Sequence, residues 1–144
     1  MVSWVELNDE LSKAGRRDQQ LCNKFYEFAK QVADQITAQH CLVKGLETEL
    51  HLEERYFVVR FVGRVLEFHL ETMLSESNVL VGEVACFVAN AFPDVGFRKL
   101  GSIGFKPSGE TDLKEPKSGD SILIDSDIGA QYIVLDFVYK SLSS

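Results

Sequence analysis

Residues 49–71 read ELHLEERYFVVRFVGRVLEFHLE. Polar and apolar side chains alternate with a period of two, as on a strand with one wet and one dry face. In the first run Leu46, Thr48, Leu50 and Leu52 fall on one side, and Glu47, Glu49, His51 and Glu53 on the other. The next run sets Phe57, Val59 and Phe61 against Tyr56, Val58 and Arg60. Gly63-Arg64, with glycine first, suits a two-residue type II′ turn. That turn would pair Phe61 with Leu66, Val59 with Phe68 and Phe57 with Leu70, so the dry face is apolar throughout. The wet face would then pair Arg60 with Glu67, Val58 with His69 and Tyr56 with Glu71, with Glu47 beside Arg60 from the first strand. The stretch predicts a three-strand antiparallel meander over 46–72.

One motif occurs twice in it, as Glu49-Leu50-His51-Leu52-Glu53 and as Glu67-Phe68-His69-Leu70-Glu71. Two such motifs could mark a metal site. In the expected register, however, His51 and His69 stand two strands and two residues apart, about 12 Å between Cβ atoms from ordinary strand spacing. Donors to one zinc ion must lie ~2 Å from it. No metal is therefore expected, and the repeated pattern reads as the wet face of a half-solvated sheet. If that face has a role, it is to meet a partner. Its candidate residues are Glu47, Glu49, His51, Tyr56, Arg60, Glu67, His69 and Glu71.

On the N-terminal side, Ser3 and Glu6 have capping-box spacing in front of a short helix carrying Trp4, Leu7 and Leu11 on one face. Gly15 is expected to stop or kink it. Asp18 then caps a longer amphipathic helix, with Leu21, Phe25, Phe28, Ala29, Val32 and Ile36 along one side. On the C-terminal side, VLVGEVACFVANAF at 79–92 admits two readings. Leu80, Val84, Phe87, Val88 and Ala91 share a helical face, with Asn78 to cap it and Pro93 to end it. Gly82 and the β-branched content suit a buried strand instead; the helix is the reading preferred. FRKLGSIGFK at 97–106 reads as a strand with a bulge near Gly101. Residues 107–120, PSGETDLKEPKSGD, show no period and read as a long flexible loop. A short strand, SILID, precedes a helix over 127–142 capped by Ser126 or Asp127. That helix carries Ile128, Tyr132, Leu135, Tyr139 and Leu142 on one face and Ile133, Val134, Phe137 and Val138 on others. A helix apolar all round is buried, or forms a homodimer interface.

The whole is thus an α+β domain: a long N-terminal helix, an antiparallel sheet begun by the meander, and a C-terminal helix. At 144 residues the chain is one domain's worth. Its net charge of -7 argues against non-specific nucleic-acid binding, which needs clustered Lys and Arg, and favours a basic partner. Cys22, Cys41 and Cys86 are odd in number and widely spaced, which points to a reducing, cytoplasmic setting. The first residues do not read as a signal peptide, and the longest apolar stretch is interrupted by Glu83, so no membrane partner is expected.

The sequence carries none of the common catalytic motifs. The glycines of GSIGFKPSG match neither a phosphate-binding loop nor a dinucleotide fingerprint. DSDIG at 125–129 has Gly where a calcium loop needs its third ligand. Pairing of Cys41 or Cys86 with His40, His51 or His69 has no spacing to support it, so no cofactor and no thiol chemistry are expected. The element order is similar to the α-βββ-α-ββ-α arrangement of small acidic secretion chaperones, a likeness of order alone. The main expectation is a non-enzymatic protein-binding domain, of immunity, antitoxin or inhibitor type, engaging a basic protein. The alternatives are a small secretion-type chaperone, and a small-molecule binder or small enzyme with a site near His51 and His69. The last would show a concave pocket of convergent polar groups; a binding domain would show an open acidic face.

Overall fold

The computed structural model describes residues 3–37 and 43–143. Helix α1 spans Trp4–Thr37 without interruption. The capping box forms as expected, with Glu6 N–H donating to Ser3 Oγ at 3.2 Å. Gly15 does not stop the helix. A glycine inside a helix costs about 1 kcal/mol, less than the hydrogen-bond ladder and the docked C-terminal half contribute. Asp18 accordingly sits inside the helix and not at its start.

Seven strands follow in one sheet whose spatial order is the chain order, every neighbour antiparallel. They are β1 (Glu47–His51), β2 (Tyr56–Phe61), β3 (Arg64–Leu74), β4 (Leu80–Ala89), β5 (Phe97–Phe105), β6 (Glu110–Lys114) and β7 (Ser121–Leu123). Helix α2 (Asp127–Leu142) closes the chain, with Ser126 Oγ accepting from Gly129 N–H at 2.9 Å as its cap. The α+β class, the meander and the terminal helices are those expected.

Both helices pack on one face of the sheet. Phe57, Val59, Leu66, Phe68, Val84, Cys86 and Ile103 meet Leu21, Phe25, Phe28 and Val32 of α1 and Ile133, Val134 and Phe137 of α2, all buried. At the centre Phe57 lies 5.8 Å from Phe25, 5.4 Å from Phe28 and 4.9 Å from Phe68 between ring centroids. The α2 face with Ile128, Tyr132 and Tyr139 points outward, so the helix buries one side only.

Three further expectations fail, each for a physical reason. The β2–β3 turn is Val62-Gly63, not Gly63-Arg64: both residues have positive φ, 49° and 76°, the type I′ arrangement. Phe61 pairs with Arg64, Val59 with Leu66 and Phe57 with Phe68, two residues away from the expected register. A shift of two keeps every side chain on its face, so the apolar pattern could not detect it. Residues 80–89 are strand and not helix. β4 lies between β3 and β5 with apolar side chains on both faces (Val84, Cys86 and Val88 inward, Ala85 and Phe87 outward), and two apolar faces imitate a helical stripe. Gly82 has a strand reason: it sits opposite Phe105, whose ring occupies the space a Cβ would take. Finally, 107–120 is no long loop. It holds β6 between two turns, with Gly109 N–H donating to Lys106 O and Gly119 N–H to Glu115 O, both at 2.8 Å. Buried Thr111 donates its hydroxyl to Ile122 O at 2.6 Å, tying β6 to β7. The expected bulge near Gly101 is present, where the β4–β5 register passes from Cys86–Gly101 to Phe87–Lys99.

Candidate functional site: the outer sheet face

The face of β1 to β4 turned away from the helices carries all eight candidate residues. The two-residue register shift changes who meets whom. His51 pairs with Tyr56 and Tyr56 with His69, so the three rings stand in line across three strands. His51 and Tyr56 stack with centroids 4.6 Å apart and planes 9° apart; Tyr56 and His69 stack at 4.8 Å and 8°. Phe87 of β4 closes the row edge-on to His69 at 5.5 Å. Val58, opposite Glu49 and Glu67, and Ala85, opposite His69, share this face and are buried.

Carboxylates border this row. Glu49 Oε1 is 3.0 Å from His51 Nε2, and Glu54 Oε2 is 3.6 Å from His51 Nδ1. Glu67 Oε1 is 2.8 Å from His69 Nε2. Glu47 pairs with Arg60 in the register as expected, but the guanidinium bonds to Glu49 Oε2, at 3.0 Å, and not to Glu67. Glu71 is exposed and lies opposite Glu83, which takes Lys99 Nζ at 3.4 Å. Arg60 holds the Glu49 carboxyl below its ordinary range. Burial of the Tyr56 ring, aided by Glu67, Glu54 and Glu49, pushes its phenol up, so it is a neutral hydrogen-bonding group and not a base.

The row is held from behind. Arg55 follows the tight turn Leu52–Glu54 with φ 62° and reaches across to α1, its Nη1 and Nη2 donating to Asp18 Oδ1 and Oδ2 at 3.1 and 2.8 Å. Leu70 N–H donates to Arg55 O at 2.9 Å. The turn that follows His51 is thereby fixed to both the helix and β3. That Arg55 link holds Asp18 below its ordinary value.

The sequence reading missed Glu54, Glu83, Phe87 and Lys99. Phe87 and Glu83 were assigned to a helix, and Glu54 to a plain connection. The alternation Glu83, Ala85, Phe87 was the available signal.

Other chemistry is not supported by the geometry. Among the described residues no group of three or more His, Cys, Asp or Glu side chains is placed to hold a metal ion. The Tyr56 ring separates His51 from His69. Burial pushes the Cys86 thiol up to about 12 and raises that of Cys22, the reverse of an activated nucleophile. His40 and Cys41 lie outside the described residues. Three clefts of about 460, 470 and 600 Å³ lie elsewhere, one against Ile122 and Tyr132, one beside Lys106, Asp112 and Lys114, and one between Leu7, Leu11, Leu74 and Val79, and a smaller cleft of about 260 Å³ lies at the edge of the face beside Glu47, Arg60 and Arg64. No described helix is long and apolar enough to cross a membrane. The chain matches no family model, no curated protein and no solved structure.

Proposed function

We propose that the protein is a non-enzymatic binding domain that engages a basic protein through this outer face. The observation that carries the reading is the row His51–Tyr56–His69–Phe87, held by mutual stacking and bordered by Glu47, Glu49, Glu54, Glu67, Glu71 and Glu83. Stacked rings have few rotamers left to lose on binding, and aromatic anchors carry much of the energy in protein interfaces. Against six carboxylates the face sets Arg60 and Lys99, each already beside a glutamate. The excess negative charge favours Lys and Arg side chains of a partner and speeds their approach. An immunity, antitoxin or inhibitor protein uses such a surface to cover a basic target. The chaperone alternative loses its basis, because the middle helix of that element order is strand β4 here. The small-molecule alternative asks for convergent polar groups in a pocket, and the ring row lies on an open face.

The test is capture from the source organism's lysate at low and high salt, using the tagged protein and a variant with Glu47, Glu49, Glu67 and Glu71 all changed to Lys. The expected result is one stoichiometric basic protein, weakened by salt and bound roughly 100-fold or more less tightly by the folded variant. Equal capture by the variant, or no partner at either salt, would contradict the proposal.

A further inference from the structure

The N-terminal half of α1 leaves the core exposed on a stripe that should not be wet. Trp4, Leu7, Leu11, Ala14 and Asp18 continue, at alternating spacings of three and four, into Leu21, Phe25, Phe28 and Val32. The second group is buried in the core, whereas Trp4 is 78% and Leu11 66% exposed. From Trp4 to Arg17 the helix runs for about 20 Å beside the Leu74–Leu80 hairpin, leaving the open 600 Å³ cleft lined by Leu7, Leu11, Leu74 and Val79. Gly15 at the edge of the stripe has nothing within 4 Å of the place a Cβ would occupy, so the single chain gives it no packing reason.

We propose that this segment pairs, antiparallel, with the same segment of a second copy of the chain. The charges select that occupant. One flank of the stripe carries Glu6 and Glu10 toward the N-terminus and Lys13 and Arg17 toward the C-terminus. Antiparallel helices bring the same flank of each together. A two-fold axis beside Leu11 then sets Glu6 against Arg17 and Glu10 against Lys13, twice over. A parallel pair would instead set this flank against the opposite one, which carries Asn8, Ser12 and Gln19, and would leave the four charges without opposite partners. In the antiparallel arrangement Leu7 lies over Ala14 and Gly15 of the other copy, where the small side chains let the backbones come close, and the two Leu11 side chains meet at the axis. Lys13 already bridges Asp9 at 3.0 Å and Glu10 at 3.8 Å within its own helix, and Arg17 Nε donates to Leu80 O; the ammonium and the guanidinium each carry further donors for the second copy. The pairing uses the helix side of the sheet and leaves the outer face free on both copies, so it stands apart from the proposed function.

Sedimentation velocity across micromolar concentrations tests it on the full chain, with a second readout in the emission of Trp4, the only tryptophan in the sequence. The wild type should dimerise with a blue shift of that emission. Leu7→Glu with Leu11→Glu should weaken association at least roughly 100-fold, by placing carboxylates in the apolar seam, with the circular dichroism spectrum retained. Lys13→Glu with Arg17→Glu, and separately Glu6→Lys with Glu10→Lys, should each give monomers, and mixing the two should restore a dimer. A wild type that stays monomeric, whatever else in a lysate the helix holds, overturns the proposal. So does a dimer that survives the leucine changes, or a charge-swapped mixture that does not pair.

Discussion

Replacing Val62 by Asn should stabilise the protein. Val62 is the first residue of the β2–β3 turn and has φ 49°, a left-handed conformation that opposes its β-branched side chain. That conformation costs roughly 1–2 kcal/mol for an L-residue with a Cβ, and far less for Asn, which favours this position before Gly in a type I′ turn. The valine side chain is 70% exposed, so little buried area is lost with it, on the order of 0.5 kcal/mol. The net gain is about 1 kcal/mol, or near 3 °C in Tm for a domain of this length. Val62→Gly should gain less, because glycine also loosens the unfolded chain. Thermal unfolding by circular dichroism should therefore rank Asn above Gly, with Val lowest. The site depends on this turn. With Gly63-Arg64 at its centre the register moves by two, Tyr56 faces Glu71, and the ring row does not form. A Val62→Asn variant that melts at or below the wild type would refute the left-handed Val62 and the register built on it.

Other consequences are as direct. Phe57→Ala should cost about 3–5 kcal/mol in urea unfolding, since Phe57 is fully buried against Phe25, Phe28 and Phe68; a loss under ~1 kcal/mol would mean that the centre of the core lies elsewhere. Arg55 holds the folded-state carboxyl of Asp18 below its unfolded value, so the stability from that pair is complete above the unfolded value near pH 4 and lost as pH falls through the folded one. Asp18→Asn should cost about 1 kcal/mol at pH 7, discounted for partial exposure, and should make stability fall less steeply in acid; parallel pH profiles for the two proteins would exclude the pair as a contributor. Cys22 and Cys86 are buried with raised thiols, so at pH 8 both should resist alkylation in the native protein and react in urea, as read by peptide mass spectrometry; modification of Cys86 without denaturant would show that β4 opens.

The sequence made the broad architecture legible because period and turn chemistry agree along most of it. The apolar side of α1 from Leu21 onward, the alternation over β1 to β3 and the Ser126 cap each pointed to one structure. Faces were legible where spacing was not. Glu49, His51, Tyr56, Glu67 and His69 do share one surface, but alternation has period two, so a slip of two residues leaves no trace in it. The turn should have settled the slip, and there the rule favours glycine first, whereas the chain accepts Val62 in a strained conformation. The ring stack therefore had to come from the structure. β4 misled for the opposite reason: a central strand with Phe87 and Ala85 outward and Cys86 and Val88 inward has no polar face to display its period. In 107–120 the prolines and glycines of two turns outweighed the short alternation of Thr111 and Leu113 between them. The Asp18–Arg55 bond spans 37 residues of sequence and has no local signature at all.

The central claim, that the outer face meets a basic protein, is tested most directly by photo-crosslinking in cells of the source organism. A benzophenone side chain would be placed at Glu49 and at Glu71 on the face, and at exposed Lys30 on α1 as the control. The account predicts one discrete adduct, containing the same basic protein, from both face positions and not from the control. Adducts of equal yield from Lys30, or none from the face while the protein is folded and abundant, would contradict it.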